Sequence, residues 1–304
     1  MKKTGILIQI LLISAMLVLI ASIIFMVKKW SKGQESDYDP DEVTTEFDTD
    51  PTDYVYHNMQ SKEDGRLTIL TLGNSPFADN YSNNNLAKAI ADTYDATVIN
   101  GGIEDSYITC KNYEYNDEDE EDGVSLPSIA EALVSGDFSV PEKAAAQISE
   151  QAQAAVSTLK DVNMSEIDRI IIMYNLEDYR DHRPLGSEST TDVTSIYGAI
   201  YGSIDKIVKA YPQIRVIYLS QPAGGVTIDD FYVDGDVHDI GCGLLNDYVV
   251  FEREAAVASL ASFIDIYYGV ITVDQRAEYL VDDYHINDAG AVAIAKRVHK
   301  VLDE

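Results

Sequence analysis

The sequence predicts an α/β fold: a doubly wound, mainly parallel sheet in three layers, preceded by one transmembrane helix. Three observations lead there. Short β-branched and apolar runs alternate with longer stretches of helical spacing. Those stretches are long enough for right-handed crossovers, which pair successive strands in parallel. An uncharged apolar run opens the 304-residue chain. The domains expected are an anchor at 1–32, an acidic disordered stalk at 33–64 and one α/β domain at 65–304.

The anchor rests on the run from Gly5 to Val27, in which Gln9 is the only strongly polar side chain. At about 1.5 Å per residue it is long enough to span a bilayer core. It ends in Met26-Val27-Lys28-Lys29-Trp30 with no small-residue cleavage site, so a retained anchor is expected rather than a cleaved signal. Lys2 and Lys3 before the run nearly balance Lys28, Lys29 and Lys32 after it. Because the bulk of the chain follows the span, the expected arrangement is a single-pass protein of the cell membrane with its domain outside. The following stretch is rich in acid, carries Pro40 and Pro51 and lacks apolar periodicity, as in a stalk that holds a domain off the membrane.

Within the domain, residues 66–72 form a buried-type strand ending at Gly73. Residues 83–94 have helical spacing behind an asparagine cluster able to cap them. A second strand is expected at 96–99, helices at 125–135 and 141–159, and a third strand at 169–174. A helix over 192–211 carries Ile196, Ile200, Ile204 and Ile207 on one face and stops at Pro212. Then come a strand at 214–220, a helix at 243–262, a short strand at 263–268 and a last helix at 287–302, capped by Asn287 or Asp288.

The formal net charge is −30, from 52 acidic and 22 basic residues. Such a surface repels phosphate backbones, which excludes nucleic acid as a partner. The acid run Asp117–Asp122 lacks the alternating spacing and central glycine of a calcium loop, and reads as a solvated loop. Cys110 and Cys242 provide no metal cluster; they form either one bridge or two separate thiols. No cofactor and no metal are expected.

Parallel sheets carry their sites at the carboxyl ends of the strands. Gly73-Asn74-Ser75, Asn100-Gly101-Gly102 and Asn175 follow the first three strands, and Asp282 and His285 precede the last helix. A serine hydroxyl needs a base to take its proton, and a histidine oriented by a carboxylate supplies one. Asp282 lies three residues before His285, a spacing that lets its carboxylate turn back to one ring nitrogen. Asn175 and the backbone N–H groups of Ser75 and Gly102 are candidates to hold a developing oxyanion. His57 falls in the stalk and His299 in the last helix, while His182 and His238 lie in polar loops with at most a substrate role. Tyr174, Tyr179 and Tyr284 lie near the candidate site, either as sugar-stacking platforms or as core and rim packing.

In these residues the chain resembles the SGNH/GDSL hydrolases over about residues 66–303. Gly73-Asn74-Ser75 stands where the family usually has Gly-Asp-Ser. Asn100-Gly101-Gly102 stands where it has its oxyanion glycine, and Met173-Tyr174-Asn175 matches the Gly-x-Asn-Asp block. Asp282-Asp283-Tyr284-His285 is similar to its Asp-x-x-His block, the most specific of the four. Asn74, Met173 and Leu176 depart from the pattern, and either Gly101 or Gly102 fits the glycine. The resemblance implies a serine esterase with Ser75, Asp282 and His285 as triad and Ser75, Gly102 and Asn175 around the oxyanion. An outward domain would meet an acylated glycan or another small ester, with hydrolysis or transfer of the acyl group as the reaction. The altered blocks keep open a non-catalytic glycan-binding module of the same fold, and an acidic scaffold for another protein is a third reading.

Overall fold

Alternation of side chains along buried strands decides the architecture. In the strand Thr68–Gly73 (β1), Leu70 and Leu72 enter one core cluster and Ile69 enters another. The same division separates Ile170 and Ile172 from Ile171 and Met173 in Arg169–Met173 (β3). Both faces of the sheet are therefore apolar, and each must be covered by helices.

The structure is a computed structural model and describes residues 47–49, 66–78, 85–116 and 118–303. The expected anchor, most of the stalk and His57 lie outside these residues. Among the described residues no helix is long and apolar enough to cross a membrane.

The remaining strands are Thr97–Gly102 (β2), Arg215–Leu219 (β4), Gly225–Ile228 (β5), Phe231–Asp234 (β6) and Ser262–Ile264 (β7). The central sheet has five strands in the order β2-β1-β3-β4-β7, all parallel. The helices are Ser75–Ala78 (α1), Leu86–Tyr94 (α2), Leu126–Ser135 (α3), Ser139–Ile148 (α4), Glu150–Lys160 (α5), Glu177–Arg180 (α6), Ile196–Ala210 (α7), Leu245–Ala258 (α8), Arg276–Tyr279 (α9) and Asp288–Asp303 (α10). Residues of α3, α5, α7 and α8 cover one face; residues of α2 and α10 cover the other. This is the doubly wound arrangement expected. Its order reverses direction across β1 and β3, so a crevice opens at their carboxyl ends.

Local chemistry sets the boundaries. Asn85 caps α2 by accepting from Lys88 N at 3.1 Å, and Asn287 caps α10 by accepting from Gly290 N at 3.0 Å. The single helix expected over 141–159 is two helices. Ser149 adopts an extended backbone (φ −164°), and its hydroxyl accepts from Ala152 N to start α5 afresh.

Three expectations need correction. First, Phe47, Asp48 and Thr49 lie in the segment read as disordered stalk, yet they dock on the domain. Thr49 pairs antiparallel with Phe263 through bonds of 2.9 and 2.7 Å, which covers the free edge of β7. Asp48 makes an ion pair with Arg297, which is only 2% exposed. Second, the acid loop is not simply solvated. Residues Glu120–Val124 form a 3₁₀ turn, and buried Asp122 accepts from the N–H groups of Lys111 and Asn112 at 2.6 and 3.0 Å. Third, β5 and β6 form a hairpin in a stretch where the sequence predicts no element. Its two-residue turn, Asp229-Asp230, has φ of 50° and 65°, as in a type I′ turn.

The cysteines are both free. Cys110 Sγ lies 3.0 Å from Ser125 Oγ, and Cys242 Sγ donates to His182 O at 2.8 Å.

Candidate active site

Ser75 is placed by a turn that only glycine permits. β1 ends at Gly73 with φ 149°, where an added Cβ would lie 1.7 Å from the Met173 carbonyl oxygen. The chain then turns into α1, whose start is fixed by Phe77 N and Ala78 N donating to Asn74 O at 2.9 and 3.0 Å. Ser75 is thus the first residue of a short helix at the carboxyl end of β1.

Asn175 stands just beyond the adjacent strand, β3, and is fully buried. Its Nδ2 donates both to Ser75 Oγ, at 3.0 Å, and to the Tyr284 carbonyl, at 2.8 Å. One amide therefore joins the nucleophile candidate to the loop that carries His285. Its backbone N–H donates to Asn74 Oδ1 at 2.8 Å.

The Asp282–His285 pair has the geometry its spacing suggests. Asp282 Oδ2 lies 2.7 Å from His285 Nδ1, while Oδ1 accepts from the N–H groups of His285 and Tyr284 at 2.9 and 3.0 Å. Partial burial raises the Asp282 carboxyl, but these N–H groups and the imidazole outweigh it and hold the group below the usual carboxylate range. The loop is braced by Val281 N donating to His285 O at 2.8 Å. The hairpin braces it again: Gly225 N donates to Asp283 O at 3.2 Å and Thr227 Oγ1 to Asp283 Oδ2 at 2.5 Å.

The Gly102 N–H, the glycine donor that the resemblance implies, is bonded within its own strand end. It donates to Asn100 Oδ1 at 3.0 Å, and the missing Cβ of Gly102 makes room for α1, since a methyl there would lie 2.5 Å from Phe77 Cβ. It is a packing glycine whose N–H is already committed. Gln151 ties down the following loop, donating to Gly102 O at 3.0 Å and accepting from Glu104 N at 3.1 Å.

A cavity of about 580 Å³ reaches the site through Glu177, which accepts from Asn74; Ser75, Asn175, Asp282 and His285 do not line it. Glu177 and Arg180 of α6, Val226 and Ile228 of the hairpin, and both His182 and His238 line it. Arg180 lies 4.6 Å over the Tyr284 ring and donates to its hydroxyl, and the Tyr284 ring packs 4.0 Å from that of His285. Tyr284 is half-buried at this rim, whereas Tyr174 and Tyr179 are core residues. The half-buried His299 packs on Tyr94 in the last helix.

The sequence reading missed the acids of α6. Asp178, fully enclosed, accepts from Ile108 N, Thr109 N and Thr109 Oγ1 at 2.7, 3.0 and 2.7 Å, and so fixes the loop after β2. Glu177 is 6% exposed and accepts from Asn74 Nδ2 at 2.7 Å; burial pushes its carboxyl up to about 7. The signal was present in Leu176-Glu177-Asp178, two acids directly behind an apolar strand, where a helix turn draws them inward.

No family model matches the sequence, and no curated protein does. Solved structures do match in fold. A protein from Lactobacillus plantarum is 17% identical and aligns over 78% of this chain and 96% of its own, with a TM-score of 0.54. A possible lipase from Chitinophaga pinensis is 12% identical over 78% of this chain and 97% of its own, with a TM-score of 0.51. The chain has the SGNH/GDSL hydrolase fold. On it, Asn74 and Ser75 occupy the first strand end, Asn175 the neighbouring strand end, and Asp282 and His285 the loop before the last helix, in the order the SGNH blocks require.

Proposed function

We propose that this chain is a serine ester hydrolase that works through an acyl-enzyme on Ser75. The observation that carries the reading is the Asn175 amide, which holds Ser75 Oγ at 3.0 Å and the Tyr284 carbonyl at 2.8 Å, next to an Asp282–His285 pair at 2.7 Å. Nucleophile, donor and base arrive from three separate stretches of the chain.

In this mechanism Asp282 fixes the tautomer with the proton on Nδ1, which leaves Nε2 as the base. Ser75 Oγ attacks the ester carbonyl carbon as its proton passes to His285 Nε2. The developing oxyanion is held by Asn175 Nδ2 and the Ser75 N–H. Collapse breaks the bond to the alcohol oxygen, which takes the proton from His285. Water, activated by the same imidazole, then releases the acid; a sugar hydroxyl in its place makes the step acyl transfer.

The substrate class is a carbohydrate O-acyl ester. The mixed lining of the neighbouring cavity supports it: carboxylates, Arg180 and two histidines offer polar partners for hydroxyls, and Val226, Ile228 and Ile240 give an apolar wall. On this reading the catalytic domain lies outside the cell, tethered by the apolar run at residues 5–27. One observation favours the alternative, a non-catalytic glycan-binding module: the Gly102 N–H, a donor the resemblance implies, is occupied by Asn100.

Turnover of a short-chain nitrophenyl ester by the full-length chain decides between them. Ser75→Ala and His285→Ala are expected to lose it while keeping the circular dichroism and melting profile of the parent. Parent-level turnover by Ser75→Ala excludes the acyl-enzyme, and glycan binding without turnover in the parent selects the module.

A further inference from the structure

We infer that Glu177 is a positioning residue, and that Asn74 and Glu177 act as one unit in place of the aspartate the SGNH pattern carries at position 74. The inference rests on the reading of Ser75 as the nucleophile. Glu177 touches no reacting atom; it acts through two amides.

The hydrogen bonds diverge from Asn175, which donates through Asn74 toward Glu177 on one side and to Ser75 on the other. Glu177 Oε2 accepts from Asn74 Nδ2 at 2.7 Å. Asn74 Oδ1 accepts from the Asn175 N–H at 2.8 Å. Asn175 Nδ2 then donates to Ser75 Oγ at 3.0 Å. Asn74 and Asn175 are fully buried and Glu177 is 6% exposed, so water does not share these bonds freely. In such surroundings a bond to a carboxylate is stronger than one between neutral groups.

The identities of the two residues depend on each other. Asn74 Nδ2 also donates to the Ser106 carbonyl at 2.9 Å. Rotating the amide by half a turn would set Oδ1 against both Glu177 Oε2 and Ser106 O, and Nδ2 against the Asn175 N–H. All three contacts would pair like with like. An aspartate at 74 would still accept from the Asn175 N–H, but its other oxygen would face the Glu177 carboxylate at hydrogen-bond distance. With Glu177 ionised, only an amide serves at 74; with Asn74 present, position 177 needs an acceptor.

Glu177 is also the member of the unit that lines the cavity. The charged and titratable groups about it are Asp178 and Arg180 on its own helix, Tyr284 on the His285 loop, and Asp105 and His182 in the cavity wall. The Asn175 donor is thus linked, through Asn74, to a side chain that borders the space beside the site.

The test is a set of variants of the full-length chain, assayed for kcat and KM on a short-chain nitrophenyl ester and for unfolding by urea. Glu177→Leu removes the acceptor and is expected to lower kcat by about tenfold or more with KM little changed, the pattern of a mispositioned oxyanion donor. Glu177→Gln keeps an acceptor oxygen for Asn74 and is expected to lose several-fold less than Glu177→Leu. Asn74→Asp is expected to lower kcat by about 100-fold. The double variant Asn74→Asp/Glu177→Gln restores an opposed donor and acceptor, because the amide introduced at 177 donates to the carboxylate introduced at 74. It is expected to regain about tenfold over Asn74→Asp alone, a coupling that independent sites do not show.

Additive losses in the double variant overturn the inference, as does equal kcat in Glu177→Leu and Glu177→Gln. If Glu177→Leu fails to fold, the Asn74/Glu177 cycle still decides. Turnover that persists in Ser75→Ala defeats the reading of the nucleophile instead. Ser75-dependent turnover with an additive cycle defeats the positioning role alone.

Discussion

Asn175→Ala is the perturbation from which the structure yields the most. The side chain is fully buried and its Nδ2 makes two bonds, to Ser75 Oγ at 3.0 Å and to Tyr284 O at 2.8 Å, while Oδ1 has no partner among the described residues. Truncation therefore removes two donated bonds and no accepted one. The Tyr284 carbonyl loses a donor beside the His285 loop, at a cost of about 1–3 kcal/mol in stability. The oxyanion loses one preorganised donor, worth about 10²–10³ in kcat, or about 2.7–4 kcal/mol of barrier. With Gly102 N–H committed to Asn100, Asn175 carries more of that burden than in a site with a free glycine donor, so the upper end is expected. Initial rates on a nitrophenyl ester, with urea unfolding of the same preparations, separate the two effects. The loss must appear in kcat, with KM little changed, because the donor acts on charge that forms only in the transition state. A variant whose kcat stays within about threefold of the parent, or whose loss lies wholly in KM, refutes this account of Asn175.

Two further outcomes follow from buried charges. The Glu177 carboxyl is held up to about 7, mainly by burial, against an ordinary value of 4.5. The folded state therefore binds its proton more tightly than the unfolded state. The stability this contributes is present below about pH 4.5 and is lost as pH rises through 7. Glu177→Gln is expected to be the more stable protein at pH 8, by up to about 3 kcal/mol, with the gain vanishing near pH 4.5; urea titrations at both pH values measure it. A gain that is the same at both pH values contradicts the linkage. Asp48→Ala removes an ion-pair partner of the buried Arg297 and an acceptor for Asp265 N at 2.9 Å. A loss of about 3–5 kcal/mol is expected, much of it recovered by adding Arg297→Met. A loss below about 1 kcal/mol shows that the docked segment contributes little.

The strand–helix alternation and the layering were legible because they depend on periodicity. Ile170, Ile171 and Ile172 are buried on both faces of the sheet, and that pattern survives any detail of packing. The turn at Gly73 and the cap at Asn287 were legible because special backbone geometry demands special residues. The break at Ser149 was not, since its apolar spacing continues across the gap and only the backbone of one residue interrupts it. Nor was the docking of residues 47–49. An acidic, proline-flanked stretch carries no periodic signal, and its attachment depends on Arg297 and Phe263, more than 200 residues away.

The candidate site divides in the same way. Asp282 and His285 are three residues apart, so their contact is local and readable. Ser75 and Asn175 meet because β1 and β3 are neighbours; the sequence placed both at strand ends but gave no strand order. The bond that occupies the Gly102 N–H was not legible, because it depends on how the Asn100 side chain turns and on α1 packing against the glycine. Neither is visible in a motif. The Asn74–Glu177 contact spans 103 residues and replaces one polar pairing by another, which a single sequence cannot disclose.

Reaction of the folded full-length chain with a fluorophosphonate, read by intact mass and peptide mapping, tests the central claim most directly. One adduct is expected, on the Ser75 hydroxyl, formed slowly or not at all in His285→Ala. A folded chain that takes up no reagent, or takes it up at another residue, contradicts the assignment of Ser75 as an activated nucleophile.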